Sequence, residues 1–403
     1  MLTNAPRILV IAALFFLSIS AFPAWSQQTS VTPSDAEKIG DNNNSKPDAV
    51  PAKQSTATEN DGAVSGSDTA HQDPELPSLP GAQVQVLKEG DKIPQRIDTN
   101  YEDWSRPELA PGMKTEVTFL GKSDRPGFTR ELVSVQWREM DPIDLWIVKP
   151  VGVKNPPLIL YLYSYPSTND RYKSDEICQF LTKNGFAAVG FVSAITGQRI
   201  HDRPKRDTFV THLQEALGSS IHDVQMILNY LATRGDLDMT QVGMWGDGSG
   251  ASIAIMAAAV DSRIKALDLL NPWGDWPSWL AGSLLVPETE RALFLEPDFL
   301  KTVENLDPKT WMPQLKTRNI RLQHIMQGIK VTPDSVRQKM EAVAPSSTKI
   351  IHYDNTKAFI DDVASTGKGF DWIKEQLAST ASGQKNQDER LTKIPTPIAD
   401  PTR

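Results

Sequence analysis

The sequence predicts an α/β fold: a mostly parallel twisted sheet with helices on both faces and an antiparallel hairpin on its N-terminal side. Three observations lead there. Six apolar runs of strand length are too continuous for strands with one wet face, and suit strands covered on both sides. Helical patterns fill the gaps between them, and alternation of strand and helix implies parallel pairing. Near the middle of the chain, WGDGSGAS (Trp245 to Ser252) places glycines between a strand and a helix.

The hairpin comes first. Val133-x-Val135-x-Trp137 and Ile143-x-Leu145 through Val148 alternate as strands, and Asp141-Pro142 turns between them. The six runs follow as Leu158–Tyr163, Phe186–Val192, Val242–Trp245, Ala266–Leu270, Ile320–Met326 and Lys349–Tyr353. Ser174, Asp175 and Glu176 precede Ile177, Phe180 and Leu181, with Gly185 as a stop, so a helix is expected there. Ser220-x-x-Asp223 reads as a capping-box-like start, with Val224, Ile227, Leu228 and Leu231 on one helical face. Ser249–Val260 is rich in small residues, as for a helix packed close to a sheet. Phe370, Ile373 and Leu377 mark a last helix.

The 403 residues carry a net charge of −8, which argues against general nucleic-acid binding. The single cysteine, Cys178, precludes an internal disulfide and reads as a small buried residue. Arg7, the apolar stretch Ile8–Leu17 and Ala24-Trp25-Ser26 have the order of a signal peptide cleaved before Gln27, so residues 1–26 are expected to be removed. An uncleaved anchor is the alternative. No later stretch is long and apolar enough to span a bilayer. A periplasmic or secreted location follows as an expectation. Residues 27–80 are polar, of low complexity and without aromatics, so they are expected to be disordered, as is the proline-containing tail 381–403. The globular body then spans 81–380.

A strand, a turn of the form Gly-x-Ser-x-Gly and a helix make a nucleophile elbow. The stretch RGDLDMTQVGMWGDGSGASIAIMAAAVDSRIKALDLLNPWGDW resembles the α/β-hydrolase fold, in the branch that holds prolyl-oligopeptidase-like and acetyl-xylan-esterase-like enzymes. Asp238, Val242, Gly243, Gly246, Asp261, Arg263, Ile264, Lys265 and Ala266 carry the match, and the resemblance extends over about residues 133 to 377. It implies a serine, acid and histidine triad, but the register does not supply one. With Gly246 and Gly250 flanking the turn, the nucleophile position holds Gly248, and Ser249 falls one place late. Sliding the motif by one residue would put Asp247 and Ala251 where glycines are wanted. The acid position after the seventh strand of this count holds Val331, with Asp334 three residues on. The histidine position after the eighth holds Lys357 or Thr356.

Other bases are weighed against burial or solvation. His324 and His352 lie in expected strands. His222 falls in the first turn of an expected helix. His201 and His212 flank a long loop after the fourth strand. Ser249 with Lys357 as base is the fallback pair, since a desolvated lysine can accept a proton. Where the family often shows His-Gly after the third strand, this chain has Tyr163-Ser164-Tyr165-Pro166, which narrows an oxyanion loop. Arg199 to Arg206 forms a basic segment in an acidic protein. It reads as a solvated loop or as an anion contact. Trp273, Trp276 and Trp279 recur every three residues. They form either an aromatic platform or the packing of a lid over residues 273–312. No cofactor or metal motif stands out.

The expectation is an exported hydrolase-like chain that has lost catalysis and binds a ligand or partner at the old cleft. Ser164, Tyr165, Asp247, Ser249, Trp273 and Trp276 are its candidate contacts. An active serine esterase or peptidase built on Ser249 is the alternative.

Overall fold

The computed structural model describes residues 102–110, 112–139, 141–166, 168–196, 209–317, 319–327, 331–366 and 371–379. The signal segment, the arm 27–80, the tail 381–403 and the basic segment with His201 lie outside the described residues. No described helix is long and apolar enough to cross a membrane.

Nine strands form one sheet in the order β1-β2-β3-β5-β4-β6-β7-β8-β9. β1 is Glu116–Arg125, β2 Phe128–Gln136 and β3 Ile143–Pro150. β4 is Pro157–Leu162, β5 Ala187–Gly190 and β6 Asp238–Asp247. β7 is Ile264–Leu270, β8 Asn319–Gln327 and β9 Lys349–Asn355. The pairings from β5 through β4, β6, β7 and β8 to β9 are all parallel, whereas β1, β2 and β3 pair antiparallel.

The expected hairpin is therefore a three-stranded meander. β1 escapes an alternation test because its register shifts between Phe119 and Gly121 and its first five residues are exposed. The signal that could have found it is Pro126-Gly127, a turn joining it to β2.

Ten helices of the described residues cover the sheet and its C-terminal edge. They are α1 (Asp175–Thr182), α2 (Leu213–Arg234), α3 (Ser249–Val260), α4 (Trp276–Gly282) and α5 (Arg291–Phe294). α6 (Pro297–Val303), α7 (Pro308–Trp311), α8 (Asp334–Val343), α9 (Thr356–Thr366) and α10 (371–379) follow. Ser174 caps α1, its hydroxyl accepting from the Ile177 N–H at 3.3 Å. One core gathers α2, α3 and α4 with one face of the sheet, and a second gathers α1, α9 and α10 with the other. Both faces of β4, β5 and the second half of β6 are buried, which is why their sequences run apolar without alternation.

α2 corrects the expected capping box. It starts at Leu213, so Ser220, His222 and Asp223 lie in its interior and are fully buried. Their polarity is explained by tertiary partners. The Ser220 hydroxyl donates to the Ala216 carbonyl and accepts from the Ala194 N–H. Asp223 accepts from Trp137 Nε1 and Arg138. His222 bridges Glu102 and the Arg106 carbonyl. This network straps residues 102–109 across α2. Gly218 permits the approach, because a Cβ there would lie 2.5 Å from the Trp104 carbonyl oxygen.

Candidate functional site

The strand order reverses direction between β4 and β6, and in parallel sheets ligands bind beyond the C-terminal strand ends at such a point. β4 runs into Tyr163-Ser164-Tyr165-Pro166. β6 runs through Gly248 into α3. The two segments meet there.

Gly248 is the centre of the turn, at φ 51° and ψ −115°, a backbone region that residues with a side chain adopt only under strain. Its N–H donates to the Leu270 carbonyl at 2.9 Å, tying the turn to β7. The flanking glycines are demanded by contact. A Cβ on Gly246 would stand 2.6 Å from the Ala251 backbone, and one on Gly250 would stand 2.3 Å from the Leu162 carbonyl oxygen. A side chain on Gly248 would begin 2.2 Å from Ser164 Oγ and 3.1 Å from Trp273 Nε1. Ser164 and Trp273 thus crowd the point from which a residue at this position would project.

Ser249 is fully buried, and its hydroxyl accepts from the Tyr165 N–H at 3.1 Å. This bond takes up a donor of the loop after β4. Lys357 is on the first turn of α9, 82% exposed and paired with Asp361. The fallback pair is not brought together: one member is interior and held by a backbone amide, while the other is in solvent. Val331 is half-buried against the core on the α2 and α3 side, and the next residue, Thr332, donates from its hydroxyl to the Asn271 carbonyl just past β7. Asp334 opens α8.

Asp247 ends β6. Burial pushes its carboxyl up to about 7, against the opposing pull of the Arg171 charge and the Gly248 N–H. The Arg171 guanidinium lies 3.3 Å from the centre of the Tyr163 ring, and burial pushes the Tyr163 phenol up to about 12. Arg171 has no signature in the sequence, because it belongs to the segment before α1 and reaches Tyr163 only through folding.

The tryptophans pack a lid. Trp273, Trp276 and Trp279 are at most 1% exposed. Trp273 stacks on Trp279 at 4.6 Å between centroids, and Trp276 meets Trp279 edge-on. Trp276 Nε1 donates to the Leu306 carbonyl at 2.9 Å, so this ring is an interior strut rather than a free platform. Phe209, which sequence reasoning missed, joins Tyr165 at 4.6 Å to Trp273 at 5.8 Å. The four rings Tyr165, Phe209, Trp273 and Trp279 form a continuous aromatic layer beside Gly248. On the far side of Trp276, a cavity of about 430 Å³ opens between α4, α6 and α7, lined by Pro277, Pro297 and Leu300 with Lys301 and Glu304.

The remaining described histidines each lie within 4.0 Å of a carboxylate, His212 of Glu215, and His324 and His352 of Glu341. His324 is buried and, by that burial first, held down to about 4. His352, expected inside the sheet, is instead 45% exposed on the edge strand β9 and bonds Glu341 at 2.8 Å. His212 precedes α2 and lies 4.0 Å from Glu215. Cys178 is buried, its thiol facing the Tyr172 carbonyl and pushed up to about 11 by burial. Among the described residues no cluster of His, Cys, Asp and Glu is arranged to hold a metal ion.

No protein-family model matches the chain, and no curated protein matches it. Among solved structures it is similar to an acetyl xylan esterase from Paenibacillus sp. R4, at 16% identity and TM-score 0.47, covering 62% of this chain and 84% of that one. It is similar to an S-formylglutathione hydrolase from Agrobacterium tumefaciens at 13% identity and TM-score 0.47, covering 64% of this chain and 99% of that one. A cold-adapted esterase from an Arctic intertidal metagenomic library gives 15% and 0.46, covering 64% and 99%. Likeness at this level carries nothing about chemistry.

Proposed function

We propose that this chain, built on an α/β-hydrolase fold, is an exported protein that no longer hydrolyses and instead uses the former active-site cleft to bind. One observation carries the reading. The turn that would present a nucleophile has the backbone for it, at φ 51° and ψ −115°, but a glycine there, with Ser164 Oγ 2.2 Å from where a side chain would start. Glycine relieves the strain of the turn while removing the reacting group. The positions that the family register gives to the acid and the histidine hold Val331 and Lys357, neither of which does acid–base work beside Ser249 in this geometry. The bond from Tyr165 N–H to Ser249 Oγ counts against Ser249 as a substitute nucleophile, since attack would require the hydroxyl to leave an interior acceptor role.

Export is part of the proposal and rests on Arg7, Ile8–Leu17 and Ala24-Trp25-Ser26. Amino-terminal sequencing of the protein recovered from outside the cytoplasm should begin at Gln27. A fluorophosphonate probe should leave the protein unlabelled, and short-chain esters should not turn over above the rate of buffer. Labelling that disappears in Ser249→Ala overturns the proposal.

A further inference from the structure

One ring nitrogen of a buried histidine has no bond to account for its place. His324 lies on β8, 1% exposed, and among the described residues its Nε2 makes no hydrogen bond, although buried polar nitrogens are normally satisfied. Three titratable or charged groups face it. His352, its direct partner on β9, has its ring centre 5.9 Å away. Glu341 and Arg337 come from α8, which packs into the core through Val336 and Met340. Glu341 Oε1 is the shared acceptor. It stands 2.8 Å from His352 Nε2, accepts from Arg337 Nη1 at 3.0 Å, and lies 3.5 Å from His324 Nε2. Asp334, also on α8, is 3.9 Å from Arg337. The same helix reaches the lid. Lys339 donates to the carboxylate of Asp275, the residue before α4, and to Ser278 Oγ at 2.8 Å. Met340 Sδ is 2.6 Å from where a Cβ on Gly274 would stand, and Pro333 is 3.0 Å from where one on Gly282 would stand. α8 is thus held at the sheet edge by Glu341 and holds α4 in turn.

We infer that His324 and Glu341 form an acid-operated latch: a proton taken up by His324 releases α8 from the edge of the sheet and loosens its hold on α4. An imidazolium at His324 would sit inside the fold. Among the described residues, the one carboxylate within ion-pair distance of it is Glu341, which His352 and Arg337 already share. Burial holds the His324 ring down to about 4, and the opposing pull of Glu341 does not make good the loss of water. The closed arrangement therefore refuses a proton that a released, hydrated ring takes near 6.5. It is fully favoured above 6.5 and loses its advantage as pH falls from there toward 4. The latch is independent of whether the cleft hydrolyses, since none of its groups belongs to the strand–helix turn.

Amide hydrogen exchange of the full-length protein, corrected for the intrinsic effect of pH, reads the latch segment by segment. Between about pH 7.5 and about pH 5, exchange in α8 should quicken by about thirtyfold, the ratio by which a ring freed from about 4 to 6.5 gains protons at the lower pH. α4 should quicken with it, while β4 and β6 should keep their protection. His324→Gln, which stays neutral at every pH, should abolish the response. If that variant does not fold, the ring signal of His324 in the ¹³C-labelled wild-type protein makes the same test, and its midpoint should fall below about 5. A midpoint near 6.5, unchanged exchange in α8, or a response that survives His324→Gln overturns the inference. Equal quickening in β4 and β6 also overturns it, because the whole fold then opens rather than one helix. Quickening in α8 with α4 still protected overturns the link to the lid.

Discussion

Two places in the molecule bury polar groups, and they are organised in opposite ways. Beneath the strap, Arg138 is held by both carboxylate oxygens of Glu102 at 2.6 and 2.7 Å, by Asp223 at 2.6 Å and by the Ser219 carbonyl at 2.9 Å. Glu102 also bonds His222, and Asp223 also bonds Trp137 Nε1. At the strand–helix turn, Ser164 and Trp273 crowd the place above Gly248, and the buried Asp247 has only the Arg171 charge and the Gly248 N–H to oppose the effect of burial. The contrast teaches what each region is for. A network whose every member is paired fixes a segment of chain in one position. A buried carboxyl without such a network keeps its proton instead.

The two carboxyl groups make the same point by titrating in opposite senses. Burial alone would raise Glu102, but the bonds and charges of Arg138 and His222 outweigh it and hold the group at about 2. Its contribution to stability is present above the ordinary carboxylate range and is lost as pH falls toward 2. Asp247 is raised to about 7, so the folded state keeps its proton more tightly than the unfolded chain. Its contribution is full in acid, below the unfolded value of 3.8, and is lost as pH rises through 7.

The largest break in the comparison comes at the strap. Arg138→Leu leaves Glu102 and Asp223 buried without their cation and should cost about 3–5 kcal/mol in urea unfolding at neutral pH. A loss below about 1 kcal/mol would mean that the network does not hold the strap. Next in size is Asp247→Asn. It should stabilise the fold by on the order of 2 kcal/mol at mildly alkaline pH and by almost nothing in acid, so melting curves across the pH range should converge at the acid end. Equal stabilisation at both ends would remove Asp247 from the argument. Ser249→Ala takes the acceptor from the Tyr165 N–H and should cost about 1 kcal/mol, with no change in ester turnover. Smallest is Lys357→Ala, which should change stability by less than about 0.5 kcal/mol, because its pair with Asp361 is in water. A large effect there would show that Lys357 has a role that its exposed pair does not account for.

Much of the fold was legible along the chain for a simple reason. Strands covered on both faces must be apolar throughout, and Leu158–Tyr163 and Ala266–Leu270 need no knowledge of their neighbours to announce it. β1 was not legible because an edge strand with a register shift carries no such requirement. Ser220 and Asp223 misled because a buried hydroxyl or carboxylate inside a helix imitates a cap, and only Arg138, Trp137 and Ala194 reveal its purpose. At the site, the spacing of Gly246, Gly248 and Gly250 could be read, since each glycine answers a local steric demand.

The sequence by itself determined the sheet, its helical cover and the glycine at the turn, because burial on two faces and a positive φ constrain residue type at the position itself. Only the tertiary structure decided what stands over that turn. Ser164 and Ser249 are 85 positions apart, and the bond between Tyr165 and Ser249 spans 84. Trp273 looked the same as Trp276 in the sequence. One indole is tied to the Leu306 carbonyl and the other stands over Gly248, a difference set by which part of the fold each ring meets.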